Sequence, residues 1–155
     1  MQNRKLSQKA MLLPLPMAYV RDASLTAHLA FAVCRAGQGN RHQLYQLIRI
    51  IYLSYLLWQD GYGDADYELY CDAERALEAA AEHAYATDDW SLGDDATRLT
   101  QDIVRIYDEQ MSSVCRRHYL QCSAKLDRLL RVEPARSLDA KPLRRRAISS
   151  SSPPA

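Results

Sequence analysis

The sequence predicts an all-α protein: an up-and-down bundle of four to five helices, preceded by an extended Pro-containing segment and followed by a disordered basic tail. Three observations predict it. Apolar residues recur every three to four positions in five stretches, and no stretch alternates apolar with polar residues as a half-buried strand would. Only 5 glycines and 6 prolines occur in 155 residues, so turns are few and elements long. A chain of this length that is 48% hydrophobic and 25% charged can bury one core, which excludes a collagen-like or wholly disordered polymer.

The elements follow in order. Residues 1–21 are basic and Pro-containing. The run MLLPLPM is too rich in proline for a helix and is expected to lie extended, with Leu13, Leu15 and Met17 clasping the bundle. A first helix is predicted over 23–36, capped by Asp22 or Ser24, with Leu25, Leu29, Ala32, Val33 and Ala36 on its core face and Gly37 as its stop. Asn40, with Gln43 three residues on, forms a capping box for the second helix. Leu44, Ile48, Ile51 and Tyr55 line one face of that helix. Ile50, Leu53 and Leu57 line the opposite one, where a surface helix would be polar.

Gly61 to Gly63 end the second helix and Asp64 is the expected cap of the third, with Asp66 and Glu68 in its first turn. Its stripe is Leu69, Ala73, Leu77, Ala80 and Ala84. After the break at TDDW, Ser91 is the expected cap of the fourth helix. There Leu92, Ala96, Leu99, Ile103 and Ile106 keep a 4-3-4-3 spacing. Ser112 and Ser113 mark a break or bend, after which Cys115, Tyr119, Cys122, Leu126 and Leu129 repeat that spacing in a fifth helix. Three segments result: an N-terminal piece over 1–21, a bundle over 22–131 and a tail over 132–155. Helix-pair repeats are disfavoured, because the helices run nearer twenty residues than ~14 and no 34-residue self-similarity is visible.

A net charge of +1 hides a strong segregation. Residues 1–59 hold seven Arg and Lys against one acid, whereas 60–109 hold fifteen acids against three Arg. Residues 110–131 and the tail are basic again. The acidic third and fourth helices either offset basic neighbours or present an acidic patch, with Glu74, Glu78 and Glu82 at i+4 spacing, to a basic partner. The longest apolar-rich run, 44–58, would reach roughly 22 Å as a helix, short of a ~30 Å hydrocarbon layer, so no membrane span is expected. No secretion signal is visible. The four cysteines form no C-x-x-C pair, so reduced thiols in a cytoplasm are expected.

Signatures of chemistry are sparse. His28, His42, His83 and His118 stand outside any H-E-x-x-H, E-x-x-H or zinc-finger spacing. The acidic pairs Asp88–Asp89 and Asp94–Asp95 flank Trp90 without the ligand ladder of an EF-hand. No nucleophile elbow, P-loop or dinucleotide-binding glycine pattern occurs. No catalytic residue, metal or cofactor is therefore assigned, and the chain is not expected to be an enzyme. Ten tyrosines against one phenylalanine is a lopsided ratio, and tyrosine is enriched at protein interfaces.

LLPLPM near the start, the helix end LLWQDGYGDAD, then AERALEAA and a W-x-L turn resemble a group of small helical proteins from proteobacterial genomes and mobile elements. Some of these carry the label "Fis family transcriptional regulator". The resemblance spans about residues 12–130 and implies DNA binding. Fis proteins end in a helix-turn-helix, and here no short glycine turn separates two short helices near the end, so no functional residue carries over.

The expected function is a non-catalytic protein-protein interaction or regulatory accessory module. The partner would be a protein, including a second copy of this chain. Ile50, Leu53 and Leu57 are either buried by a central position in the bundle or form the interface with that second chain. The alternative is a DNA-associated regulator using Arg116, Arg117, Lys125, Arg128 and the Arg144, Arg145, Arg146 run on phosphates. A second alternative is an acidic inhibitor in which Glu74, Glu78 and Glu82 imitate nucleic-acid charge.

Overall fold

The computed structural model describes residues 7–132, and they form a helical bundle. It contains α1 (Gln8–Met11), α2 (Met17–Arg35), α3 (Arg41–Gln59), α4 (Tyr67–Thr87), α5 (Asp94–Ser113) and α6 (Arg116–Val132). Among the described residues there is no strand, only an isolated antiparallel bridge between Pro14 and Cys115. The expected tail lies, from residue 133 on, outside the described residues, and so do the first six residues.

α3 is the central helix. α2, α4, α5 and α6 all pack on it, while α5 also meets α2 and α4. The sequence explains this placement, because a helix apolar on both faces must be covered on both. α6 follows α5 after two residues yet docks mainly on α3, so the helices at that junction are not the close neighbours that a short connection usually makes.

The caps around α3 form as the sequence predicts. Asn40 Oδ1 accepts from the His42 and Gln43 amides at 2.8 and 3.3 Å, and Gln43 Oε1 accepts from the Asn40 amide at 3.1 Å. α2 and α3 end alike. In each, a glycine with positive φ (Gly37 at 71°, Gly61 at 93°) follows the last turn. Gln38 N then donates to Val33 O, and Tyr62 N to Leu57 O, both at 3.0 Å, so carbonyls that the helix leaves open are satisfied.

Four expectations need correction. α2 begins at Met17, not near residue 23, with Pro16 as its N-cap. A proline at the start of a helix forfeits no helical hydrogen bond, so the helix begins directly after it. The extended piece shrinks to residues near Pro14. There Leu13 O accepts from Arg116 N at 2.9 Å, and Leu15 alone of the three clasping residues is buried. α4 starts at Tyr67 with Asp66 as N-cap, so Asp64 lies outside the helix. α5 is capped by Gly93, because Ser91 is engaged elsewhere: its Oγ and amide both donate to Asp89 Oδ1, at 2.7 and 3.1 Å.

A further correction concerns which side of α2 faces the core. Ala27, Ala30, Phe31 and Cys34 are buried, whereas Leu25, Leu29, Ala32 and Ala36 face solvent. Polar bonds fix this rotation: Ser24 Oγ and His28 Nε2 both meet the Asp108 carboxylate of α5, each at 2.7 Å. The small residues Ala27 and Ala30 then let α2 approach its neighbours closely, with Phe31 filling the gap between them.

Candidate functional site

Of the two expectations for Ile50, Leu53 and Leu57, burial inside the bundle is the one the structure shows. Ile50 and Leu53 are buried and Leu57 is fully so. They therefore make no outward contact face, and the reason is geometric: the helices around α3 cover both of its apolar sides. The exposed apolar stripe is on α2 instead. Leu25 is 59% and Leu29 55% exposed. Together with Ala18, Ala32 and Ala36, all exposed, they recur at the three-to-four spacing of a helix seam.

The acidic trio does not form one solvated face. Glu74 is only 4% exposed, and its Oε1 accepts a hydrogen bond from the Tyr52 hydroxyl at 3.0 Å. Glu78 is half-buried and Glu82 exposed. At 3.6 residues per turn, each i+4 step advances about 40° around the helix. Three such residues thus walk from the core edge to solvent. Much of the remaining acid in 60–109 is spent on local structure. Asp88 Oδ1 accepts from Trp90 Nε1 at 2.9 Å, Asp89 holds Ser91, Asp72 pairs with Arg75, and Asp94 and Asp95 stand in the first turn of α5. The Ser91 bonds hold the Asp89 carboxyl below its ordinary range. A hydrogen bond between His28 and Asp108 joins α2 to acidic α5, and the Arg49–Asp127 ion pair at 3.1 Å joins α3 to α6 within the basic part.

The basic set divides in the same way. Arg117 and Arg128 are exposed on α6, while Arg116 and Lys125 are half-buried. Arg144, Arg145 and Arg146 lie outside the described residues. Cys122 and Leu126 occupy the buried side of the same helix. Beside them the α3–α4 turn docks on α6. The Tyr62 hydroxyl bonds His118 Nδ1 at 2.6 Å and lies 3.9 Å from Cys115 Sγ, while Cys122 Sγ donates to Asp60 Oδ2 at 3.2 Å. These contacts tie the turn down. Among the described residues no three His, Cys, Asp or Glu side chains stand together as a metal would require.

All four cysteines are free, and Cys34, Cys71 and Cys122 are buried. Burial pushes the Cys34 thiol up to about 11. Burial and the bond to Asp60 push Cys122 up to about 12. In the unfolded chain a thiol ionises near ~8.5, so above that pH the unfolded state releases protons first and stability falls as pH rises. Tyr70 and Tyr107, raised by burial, act in the same direction. The urea midpoint is expected to be lower at pH 10.5 than at pH 7.5, the contribution of the two thiols being fully present below their unfolded value. An unchanged midpoint would contradict the burial of these groups.

A cleft of about 350 Å³ opens between α2, α3, α5 and α6. Ile50, Leu53 and Leu126, all buried, give it apolar lining, and Arg49, Tyr19, Tyr107 and Tyr119 add polar groups. Helical spacing places Tyr119 on the stripe of the last helix, but it does not group Tyr119 with Tyr19 and Tyr107, because that neighbourhood depends on which helices meet. Tyr55 and Tyr70, by contrast, are core residues, with ring centroids 5.5 Å apart. No family model, curated protein or solved structure matches this chain. No helix among the described residues is long and apolar enough to cross a membrane.

Proposed function

We propose that this bundle, its five long helices running up and down with α3 inside, is a non-catalytic interaction or regulatory accessory module of the cytoplasm that self-associates through α2. The observation that carries this is the exposed stripe of Leu25 and Leu29 flanked by Ala18, Ala32 and Ala36. Its seam spacing suits a second copy: two central leucines supply apolar area, and alanines on either side let a like helix approach. α2 is only ~28 Å long, so a helix-on-helix contact buries less than the ~1,200 Å² of a stable interface. The dimer is accordingly weak and concentration-dependent.

Sedimentation over a concentration series up to the millimolar range tests this. The wild-type mass is expected to rise above 17.7 kDa with concentration. Leu25→Gln/Leu29→Gln is expected to stay monomeric with an unchanged circular-dichroism spectrum, since both side chains are more than half exposed. A wild-type chain that remains monomeric throughout, or a variant that associates equally well, overturns the proposal.

A DNA-associated role draws on one feature, the exposure of Arg117 and Arg128 on the solvent side of α6. Duplex retention on that basis would weaken steeply with salt. An absence of salt-sensitive retention near ~50 mM salt removes it. The acidic-mimic alternative loses its base, because Glu74 is sequestered by Tyr52 and is not displayed.

A further inference from the structure

The cleft between α2, α3, α5 and α6 has the make-up of a small-molecule site. Its volume of about 350 Å³ falls at the lower end of ligand pockets, which run ~300–1,000 Å³. Ile50, Leu53 and Leu126 offer a dry apolar surface. Several polar groups on the lining are donors. Arg49 carries five N–H groups and gives one to Asp127 Oδ1 at 3.1 Å, which leaves others for a ligand. Tyr19 and Tyr119 share a hydrogen bond, and a pair of hydroxyls sharing one bond keeps one proton to donate elsewhere.

Tyr107 is the telling residue. It is only 4% exposed, it lines the cleft, and its hydroxyl makes no hydrogen bond among the described residues. The ring is buried while the hydroxyl stays open to the water of the cleft, so it can donate to a ligand there without breaking a bond within the chain. Burial raises the Tyr107 and Tyr119 phenols above the usual tyrosine range, so at neutral pH both are donors. The one carboxylate on the lining, Asp22, is exposed and so screened by water.

We propose that this cleft binds a small amphipathic carboxylate, with its acid group on Arg49 and the Tyr107 hydroxyl and its hydrocarbon part over Ile50, Leu53 and Leu126. A guanidinium and a phenol lining one cleft with an apolar surface suit a head that accepts and a tail that needs no partner. Neither an amine nor an alcohol of equal length matches that donor set. The cleft lies on the flank of α2 next to, but apart from, the exposed leucine stripe, so the proposal stands whether or not the chain self-associates.

The experiment is a titration of the full chain, followed by amide chemical shifts, with decanoate, decanol and decylamine below their micelle concentrations. Decanoate is expected to bind saturably, with shifts centred on the cleft, and about tenfold or more tighter than decanol. Arg49→Gln is expected to remove that preference while leaving decanol binding as it was. Tyr107→Phe is expected to weaken decanoate several-fold while the melting temperature holds, a split that a structural role for the hydroxyl would not give. Decanol matching decanoate, decylamine binding best, no saturable shifts in the cleft, or an unaffected Tyr107→Phe each overturns the proposal.

Discussion

Leu57→Asp is expected to abolish the cooperative unfolding transition. Leu57 is 0% exposed on the helix that the other long helices cover. Truncating a buried leucine already costs about 2–5 kcal/mol through lost transfer energy and the cavity left behind. A carboxylate there adds the cost of burying a charge, or of holding the acid protonated at neutral pH. Against the ~5–15 kcal/mol that sustains a domain of this size, the sum removes most or all of the stability. Leu57→Ala, with only the first term, should fold and melt earlier. Leu53→Asp, on the cleft lining yet also buried, should unfold the chain as well; were the helix an exposed interface, it would only separate subunits. Thermal melts by far-UV circular dichroism decide this, and a sharp wild-type-like transition for Leu57→Asp would mean that α3 is not central.

How much of this is legible in the sequence depends on the physics involved. Signals confined to a few consecutive residues are legible. The Asn40 capping box and the glycine stops at Gly37 and Gly61 each depend on one turn of chain, and they form as expected. The break after Ser113 is local too. Faces were read poorly wherever neighbouring helices decide them. On α2 the larger side chains, Leu25 and Leu29, point out, because Asp108 on α5 holds Ser24 and His28 and so fixes the rotation from 80 residues away. Nothing in the periodicity of α2 encodes Asp108. Caps drawn from acidic or hydroxyl residues were misplaced for a related reason. Several such residues stand near each helix start, and Ser91 is drawn off by Asp89. The cleft brings together residues from four elements, so its tyrosines and Arg49 could not be grouped by spacing alone.

Gln110 is the polar residue whose replacement should cost most. It lies on the core side of α5, and the spacing already says so: continuing the 4-3-4-3 stripe from Leu92 through Ile106 by four lands on Gln110. A glutamine at a core position must satisfy its amide internally. It does so completely on α3 and the α3–α4 turn. Gln110 Oε1 accepts from Ser54 Oγ at 2.7 Å, and Nε2 donates to the carbonyls of Ser54 at 2.9 Å and Tyr62 at 3.0 Å. Ser54 Oγ also bonds the Tyr70 hydroxyl at 2.8 Å, which draws α4 into the same network. Gly63 completes the fit, since a Cβ there would stand 3.0 Å from Gln110 Cγ. Gln110→Met keeps the volume but takes the donor from the Tyr62 carbonyl and the acceptor from the Ser54 hydroxyl, which keeps only its bond to Tyr70, at about 2–4 kcal/mol in all. Ser54→Ala is expected to be similarly harmful, because it leaves the Gln110 amide oxygen and the Tyr70 hydroxyl short of partners. The double variant Ser54→Ala/Gln110→Met should be less damaging than the two losses added, with a coupling of about 1–2 kcal/mol, since removing both ends of a buried bond leaves fewer orphans than removing one. Urea titrations of the four proteins measure it. Strict additivity would mean that the amide is solvated in the folded chain and that α5 is not held to α3 through this bond.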